Sequence, residues 1–198
     1  CLLAVGAAAA DPLTEVRPGV FYDGEPAPDD SARALYEHLM FDLAAAWAAC
    51  DAEAMAAIVT DDVRFSFPGD SYSDRESMLA SLRGFCAQAR DTSFYFPSDA
   101  FYVDIEQGRV AAELEFRTTE GGHRQVVRDV WIGTVEGGRL SVVKEYFDGR
   151  VGQLQALGVL DTEPGARFLT PWPASTKGWA GCDLTLSMES SGGCEVSD

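Results

Sequence analysis

Residues 109–148 read RVAAELEFRTTEGGHRQVVRDVWIGTVEGGRLSVVKEYFD. Val110, Ala112, Leu114 and Phe116 alternate with Glu113, Glu115 and Arg117, which is the period-two pattern of a strand with one buried and one solvated face. Glu120-Gly121-Gly122-His123 and Glu136-Gly137-Gly138-Arg139 interrupt the pattern with glycine pairs suited to tight reversals. Gln125–Val135 and Leu140–Asp148 therefore form the next two strands. Upstream, Phe94 and Phe96 alternate, and Phe101–Ile105 leads to a further turn at Glu106-Gln107-Gly108-Arg109. Consecutive hairpins of this kind predict an antiparallel meander.

The preceding segment has a different period. Leu35, Leu39, Leu43 and Trp47 recur every fourth residue, an apolar helical stripe that Asp29-Asp30-Ser31 can cap. Asp51 can cap a short helix through Ala52–Val59, which stops at Thr60-Asp61-Asp62. Val63, Phe65 and Phe67 then form one short strand ended by Pro68-Gly69, and Asp70–Asp74 reads as a polar loop. A third helix starts at Asp74-Arg75-Glu76-Ser77 and turns Met78, Leu79, Leu82, Phe85 and Cys86 inward. Val151–Leu160 adds a short helix after the sheet. Helices first and an antiparallel sheet afterwards define an α+β architecture. The chain divides into residues 1–10, an irregular Pro-rich lead-in at 11–30, a domain at 31–160 and a Cys-containing extension at 161–198.

With 198 residues the chain builds one well-buried domain, and its 46% apolar content excludes global disorder. A formal net charge of -17 repels phosphate backbones and anionic lipid surfaces, which argues against nucleic acid and against charge-driven membrane binding. Cys1–Ala10 is apolar without interruption and too short to span a bilayer. It reads as the end of a secretory leader with an Ala-x-Ala cleavage site, so the chain is expected to be exported; a lipoprotein anchored at Cys1 is the alternative. Setting Cys1 aside leaves four cysteines. Cys182 and Cys194 are the natural disulfide pair in the tail, while Cys50 and Cys86, on helical segments, either join those segments or stand as buried thiols. No Cys-x-x-Cys spacing occurs, and only His38 and His123 offer imidazoles, so neither a metal nor another cofactor is expected. Neither histidine is spaced to serve a nucleophile.

Three helices interrupted by one strand and then a meander resemble the nuclear transport factor 2-like superfamily. The local sequences resemble its SnoaL-like branch: Trp47 followed by Cys50-Asp51, then Thr60–Gly69, Ser73–Ser77, Arg128-Asp129-Val130-Trp131, and Gly138-Arg139-Leu140 leading into Glu145-Tyr146-Phe147-Asp148. The resemblance covers roughly residues 31–158. It implies a cone-shaped sheet wrapped around the long first helix and enclosing a small-molecule cavity, in a superfamily that mixes cyclases, isomerases and hydratases with non-catalytic modules. Fold alone therefore leaves the function open.

The resemblance places site residues one by one. Phe67 stands where ketosteroid isomerases carry a general-base Asp, and Leu43 where they carry an oxyanion-hole Tyr. Asp129 matches their second oxyanion donor and also the late-strand Asp of SnoaL-type cyclases. Asp129 is thus the candidate acid/base, with Asp148 second; the competing reading pairs Asp129 with Arg128, Arg124 or Lys144. Trp47, Phe65, Phe67, Trp131 and Tyr146 are the candidate ligand-binding residues, although Trp47 also suits the core and Tyr146 a surface with its hydroxyl in water. The expected partner is a small, largely apolar molecule. Three functions follow: a binding domain, an enzyme of the cyclase, isomerase or hydratase kind using Asp129, or a homodimer through the outer sheet face that carries Glu113, Glu115 and Arg117.

Overall fold

A computed structural model describes residues 13–158 together with 160 and 162. Residues 1–10 and most of the 161–198 extension, including Cys182 and Cys194, lie outside the described residues. Four helices, α1 (Ala32–Ala49), α2 (Ala52–Ile58), α3 (Arg75–Cys86) and α4 (Gly149–Ala156), pack against one sheet. Its strands are β1 (Thr14–Arg17), β2 (Val20–Tyr22), β3 (Val59–Phe67), β4 (Asp70–Tyr72), β5 (Ala89–Phe96), β6 (Phe101–Asp104), β7 (Arg109–Glu120), β8 (His123–Glu136) and β9 (Arg139–Phe147). The α+β class and the sheet curved around α1 agree with expectation.

The sheet runs β1-β2-β5-β7-β8-β9-β3-β4, with β6 pairing β7 off that path. It is mixed and not antiparallel throughout as expected, because β2 runs parallel to β5 and β3 parallel to β9, pairings between strands far apart in the chain. Three further details differ from the sequence reading. The lead-in is not wholly irregular: Gly19 takes a positive φ of 74° and turns β1 into β2, whose Val20 and Tyr22 are buried. Thr60-Asp61-Asp62 belongs to a strand, since pairing with β9 begins at Val59 opposite Leu140. The polar loop contains β4, which pairs with Phe65–Phe67 and lays Tyr72 parallel to Phe65.

Local chemistry sets the helix ends as expected. Ser31 accepts from the Ala34 N–H, Asp51 from Glu53 and Ala54, and Asp74 from both the N–H and the hydroxyl of Ser77. The apolar face of α1 buries Leu39, Met40, Leu43 and Ala44, but Leu35 is exposed, and in the first turns Ala34 and Tyr36 face inward. Glu37 is buried as well. It holds the lead-in by accepting from the Ala27 N–H and pairs with Arg33. At the other end α1 stops at Cys50, in the left-handed conformation with φ of 57°, and Cys50 is disulfide-bonded to Cys86 at the end of α3. A bond that closes a separation of 36 residues contributes about 3–4 kcal/mol in the chain-entropy account. Behind the sheet, Gln155 of α4 both donates to the Val126 carbonyl and accepts from its N–H, as a neighbouring strand would.

Gly133 sits where β8 passes under α1. A Cβ there would press on the Met40 side chain and lie 2.9 Å from Leu140 Cδ2 and 3.1 Å from Val110 Cγ1. All three neighbours are fully or almost fully buried, so none can yield freely. Gly133→Ala should destabilise the fold by about 1–3 kcal/mol; an unchanged urea midpoint would show that helix and sheet are not in this contact.

Candidate functional site

The inner faces of the sheet strands and the sides of α1 and α3 enclose a cavity of about 390 Å³, within the range of small-molecule sites. Most of its lining is aromatic: Trp47 from α1, Phe65 and Phe67 from β3, Tyr72 from β4, Phe85 from α3, Phe94 from β5, Phe116 from β7, Trp131 from β8 and Phe147 from β9. The rings are in mutual contact. Phe65 lies 6.0 Å from Trp47 and 6.1 Å from Tyr72, and Phe94 lies 5.2 Å from both Phe116 and Trp131. The polar residues on the lining are Ser81, Glu120, Gln125 and Glu145, and the exposed Gly84 stands at its edge. Trp47, Phe65, Phe67 and Trp131 are thus placed as candidate ligand contacts.

Asp129 is 3% exposed and shares the inner face of β8 with Val127 and Trp131. The Trp131 indole N–H donates to Asp129 Oδ2 at 3.0 Å. Arg128, Arg124 and Lys144 do not pair with it. Another carboxyl lies beside it: Glu145, opposite Trp131 on β9, borders the cavity on the same face and is close enough that the two carboxyls shift one another. Two carboxylates this close in a buried place repel, which favours a proton on one of them. Asp129 Oδ1 is buried without a hydrogen-bond partner among the described residues, and the backbone N–H groups of Val130 and Tyr146, with the Trp131 N–H, oppose the effect of burial on this carboxyl. Burial raises both carboxyls above their ordinary values. Glu145 is raised well above the usual range, first by desolvation and then by the Asp129 charge. Two such neighbours titrate as a pair: Glu145 is raised the further, and the Trp131 N–H favours the charged form of Asp129.

Glu145 went unnoticed in the sequence, and Tyr146 was expected in its place. The cause is a one-residue irregularity in the β8–β9 pairing. Leu140 pairs with Val135 but Val142 pairs with Thr134, so Ser141 is an extra residue on β9. Without it Tyr146 would stand opposite Asp129; with it Phe147 does, and Glu145 stands opposite Trp131. A shift of one residue exchanges the two faces of a strand. Tyr146 is accordingly 54% exposed on the outer face and does not line the aromatic cavity. It borders a second groove of about 690 Å³ with Tyr95, Glu113, Arg128 and Asp148; Asp129 lines this groove and stands behind Glu145 as seen from the aromatic cavity. Asp148 caps α4 and pairs with Arg150, which lowers its carboxyl below the usual value and makes it a poor proton carrier. On that outer face Glu115 is buried against Arg117, and the Arg117 guanidinium lies over the Tyr95 ring. Among the described residues no cluster of His, Cys, Asp or Glu could hold a metal ion.

This chain belongs to the SnoaL-like domain family, whose model matches residues 41–143. Among solved structures it is similar to TsrD from Streptomyces laurentii, at 23% identity over 65% of this chain and 98% of that one, with a TM-score of 0.54. It is similar to a putative polyketide cyclase from Xanthomonas campestris pv. campestris, at 20% identity over 64% and 99% of the two chains, with a TM-score of 0.56. It is also similar to PrhC from Penicillium brasilianum, at 14% identity over 66% and 90%, with a TM-score of 0.57. These likenesses establish a shared fold. No curated protein sequence matches the chain.

The carboxyl pair gives stability a definite pH dependence. Raised values mean that the native state binds more protons than the unfolded chain, so this contribution is fully present below the ordinary carboxylate range and is lost as pH rises through the raised values. Glu145→Gln replaces the protonated acid by a neutral amide and should flatten the decline. Urea-unfolding free energies of both proteins, measured from about pH 5 to about pH 8, compare this directly, because Asp74 and Asp148, lowered and of opposite sign, act equally in both. Parallel profiles would rule out the proton on Glu145.

Proposed function

We propose that this SnoaL-like domain takes up a small, largely apolar molecule in its aromatic cavity and that Glu145 and Asp129 exchange a proton with it. The observation that carries this reading is Glu145 on the wall of a largely aromatic cavity, with Asp129 beside it and no cation of the described residues paired with either. A carboxylic acid held near neutrality by burial suits proton donation and, once ionised, proton abstraction. Those are the steps needed for ring closure, double-bond migration or addition of water. Phe67 and Leu43 leave the other acid/base positions of the isomerase pattern empty, so any such chemistry falls to this pair.

Gly84 provides the test of the cavity. A Cβ there meets nothing within 4 Å, so a large side chain can enter the space without strain on the helix. Nile red, a neutral apolar dye, should bind the native chain saturably, and Gly84→Phe should remove that binding while leaving the unfolding midpoint in place. Absence of saturable binding to the native chain would defeat the reading. With a substrate in hand, turnover that survives both Asp129→Asn and Glu145→Gln would defeat the proton-transfer role while leaving the binding role.

Export is part of the same proposal. It rests on the apolar run Cys1–Ala10 and is supported by the Cys50–Cys86 disulfide, a bond that persists in oxidising compartments. Among the described residues no helix is long and apolar enough to cross a membrane. In thiol-trapping of intact cells the two cysteines should resist alkylation until a reductant is added; immediate labelling would speak for a reducing compartment. A homodimer through the outer sheet face is a second reading, favoured by the exposed rings of Tyr102 and Tyr146; solution scattering that fits a monomer would dismiss it.

A further inference from the structure

The cavity has a charge imbalance that restricts its guest. Its lining carries Glu145 and Glu120, with Asp129 directly behind, and no Arg, Lys or His of the described residues lines it. An anionic guest would meet negative charge with nothing to offset it, at a site where burial strengthens every interaction. A neutral hydrocarbon guest would cover the carboxyls and satisfy none of their oxygens, with Asp129 Oδ1 already without a hydrogen-bond partner. A cation has neither problem.

The rings next to the acids have the arrangement a cation uses. Phe65 lies between Trp47 and Tyr72, at 6.0 Å and 6.1 Å, and Phe67 adjoins both Phe65 and Tyr72 at 5.9 Å and 6.2 Å. β9 runs parallel beside this strand, with Ser66 opposite Lys144, which brings Glu145 next to Phe67 on the inner face. Ring faces are negative and attract an ammonium group within about 6 Å of their centroids, most strongly when the group is out of water. A formal charge of -17 over the chain adds long-range attraction for such a guest.

We propose that the guest of this cavity carries a positively charged nitrogen on an apolar body, a tertiary or quaternary ammonium, with the charge held between the Trp47–Phe65–Phe67–Tyr72 rings and the Glu145–Asp129 carboxyls. This rests on the reading of the cavity as a small-molecule site and names the class of molecule. Arrival of the cation favours the ionised form of the pair, so a proton leaves to solvent on binding and affinity rises with pH. The other titratable groups on the cavity lining are Glu120 from β7 and Tyr72 from β4, and those on the groove that Asp129 borders are Tyr95, Glu113, Glu115, Arg128, Tyr146 and Asp148.

Phenyltrimethylammonium and tert-butylbenzene have the same shape and differ by one charge, which makes them the probes. Competition against Nile red on the full chain should show the cation binding more tightly by about tenfold or more. Titration calorimetry in two buffers of different ionisation enthalpy should show proton release for the cation. Glu145→Gln should bring the two affinities together, and Gly84→Phe should abolish both. Equal binding of the two probes to the native chain overturns the cation inference and leaves the cavity reading standing. Binding of neither probe, nor of the dye, overturns both. A preference that survives intact in Glu145→Gln overturns the role of the pair.

Discussion

The register of β8 against β9 is the constraint on which the site depends. Sheet pairing fixes which side chains face α1, and side chains on a strand change face with every residue. The extra residue at Ser141 therefore decides that Glu145 and Phe147 point inward and that Lys144 and Tyr146 point out. Had β9 run without it, a lysine and a tyrosine would have stood beside Asp129, and the cavity would have held a neutralised carboxylate. As built, one acid lines it and a second stands directly behind.

The surroundings of that pair explain why the arrangement survives. Burying an unpaired carboxylate is costly, and the usual remedies are a cation or a proton. Among the described residues no cation pairs with either carboxyl, which leaves a proton as the remedy. The Trp131 N–H stabilises the remaining charge on Asp129. The rings add apolar area, through Phe41, Phe96 and Phe101 deep in the core and through Phe65, Phe94 and Trp131 at the cavity. This apolar burial is the large favourable term against which one ill-satisfied polar group can be tolerated.

Much of this was legible in the sequence where the signal is periodic or local. The alternation in Val110–Phe116 and the Gly-Gly turns located β7, β8 and β9. Ser31, Asp51 and Asp74 marked their helix starts, because a cap is a contact between residues two or three apart. Phe65, Phe67 and Trp131 followed from strand alternation once the fold was in view. What escaped depended on long-range pairing. β2 contributes only Val20–Tyr22 and is a strand because Phe94–Phe96 lies beside it, a partner some seventy positions away in the chain. β4 is stabilised by the stacking of Tyr72 on Phe65. Glu145 and Tyr146 exchanged places through an extra residue in a run, Leu140-Ser141-Val142-Val143, whose composition gives no sign of which member is surplus. Asp129 was identified, yet its partner is an acid, and charge patterning leads one to search for a base.

The Cys50–Cys86 bond has a bearing on recognition as well as on folding. It joins the residue at which α1 ends, just after Trp47, to the residue that follows Phe85, and those two rings meet at 5.4 Å across the cavity wall. The separation of the two helices is thereby set covalently when the chain is oxidised, before any guest arrives. Ordering this wall adds no entropic cost to complex formation, which leaves more of the contact energy available as affinity. Selectivity by size is sharpened for the same reason: a host whose walls cannot spread discriminates by volume, and a guest too bulky for the gap gains nothing from the rings around it.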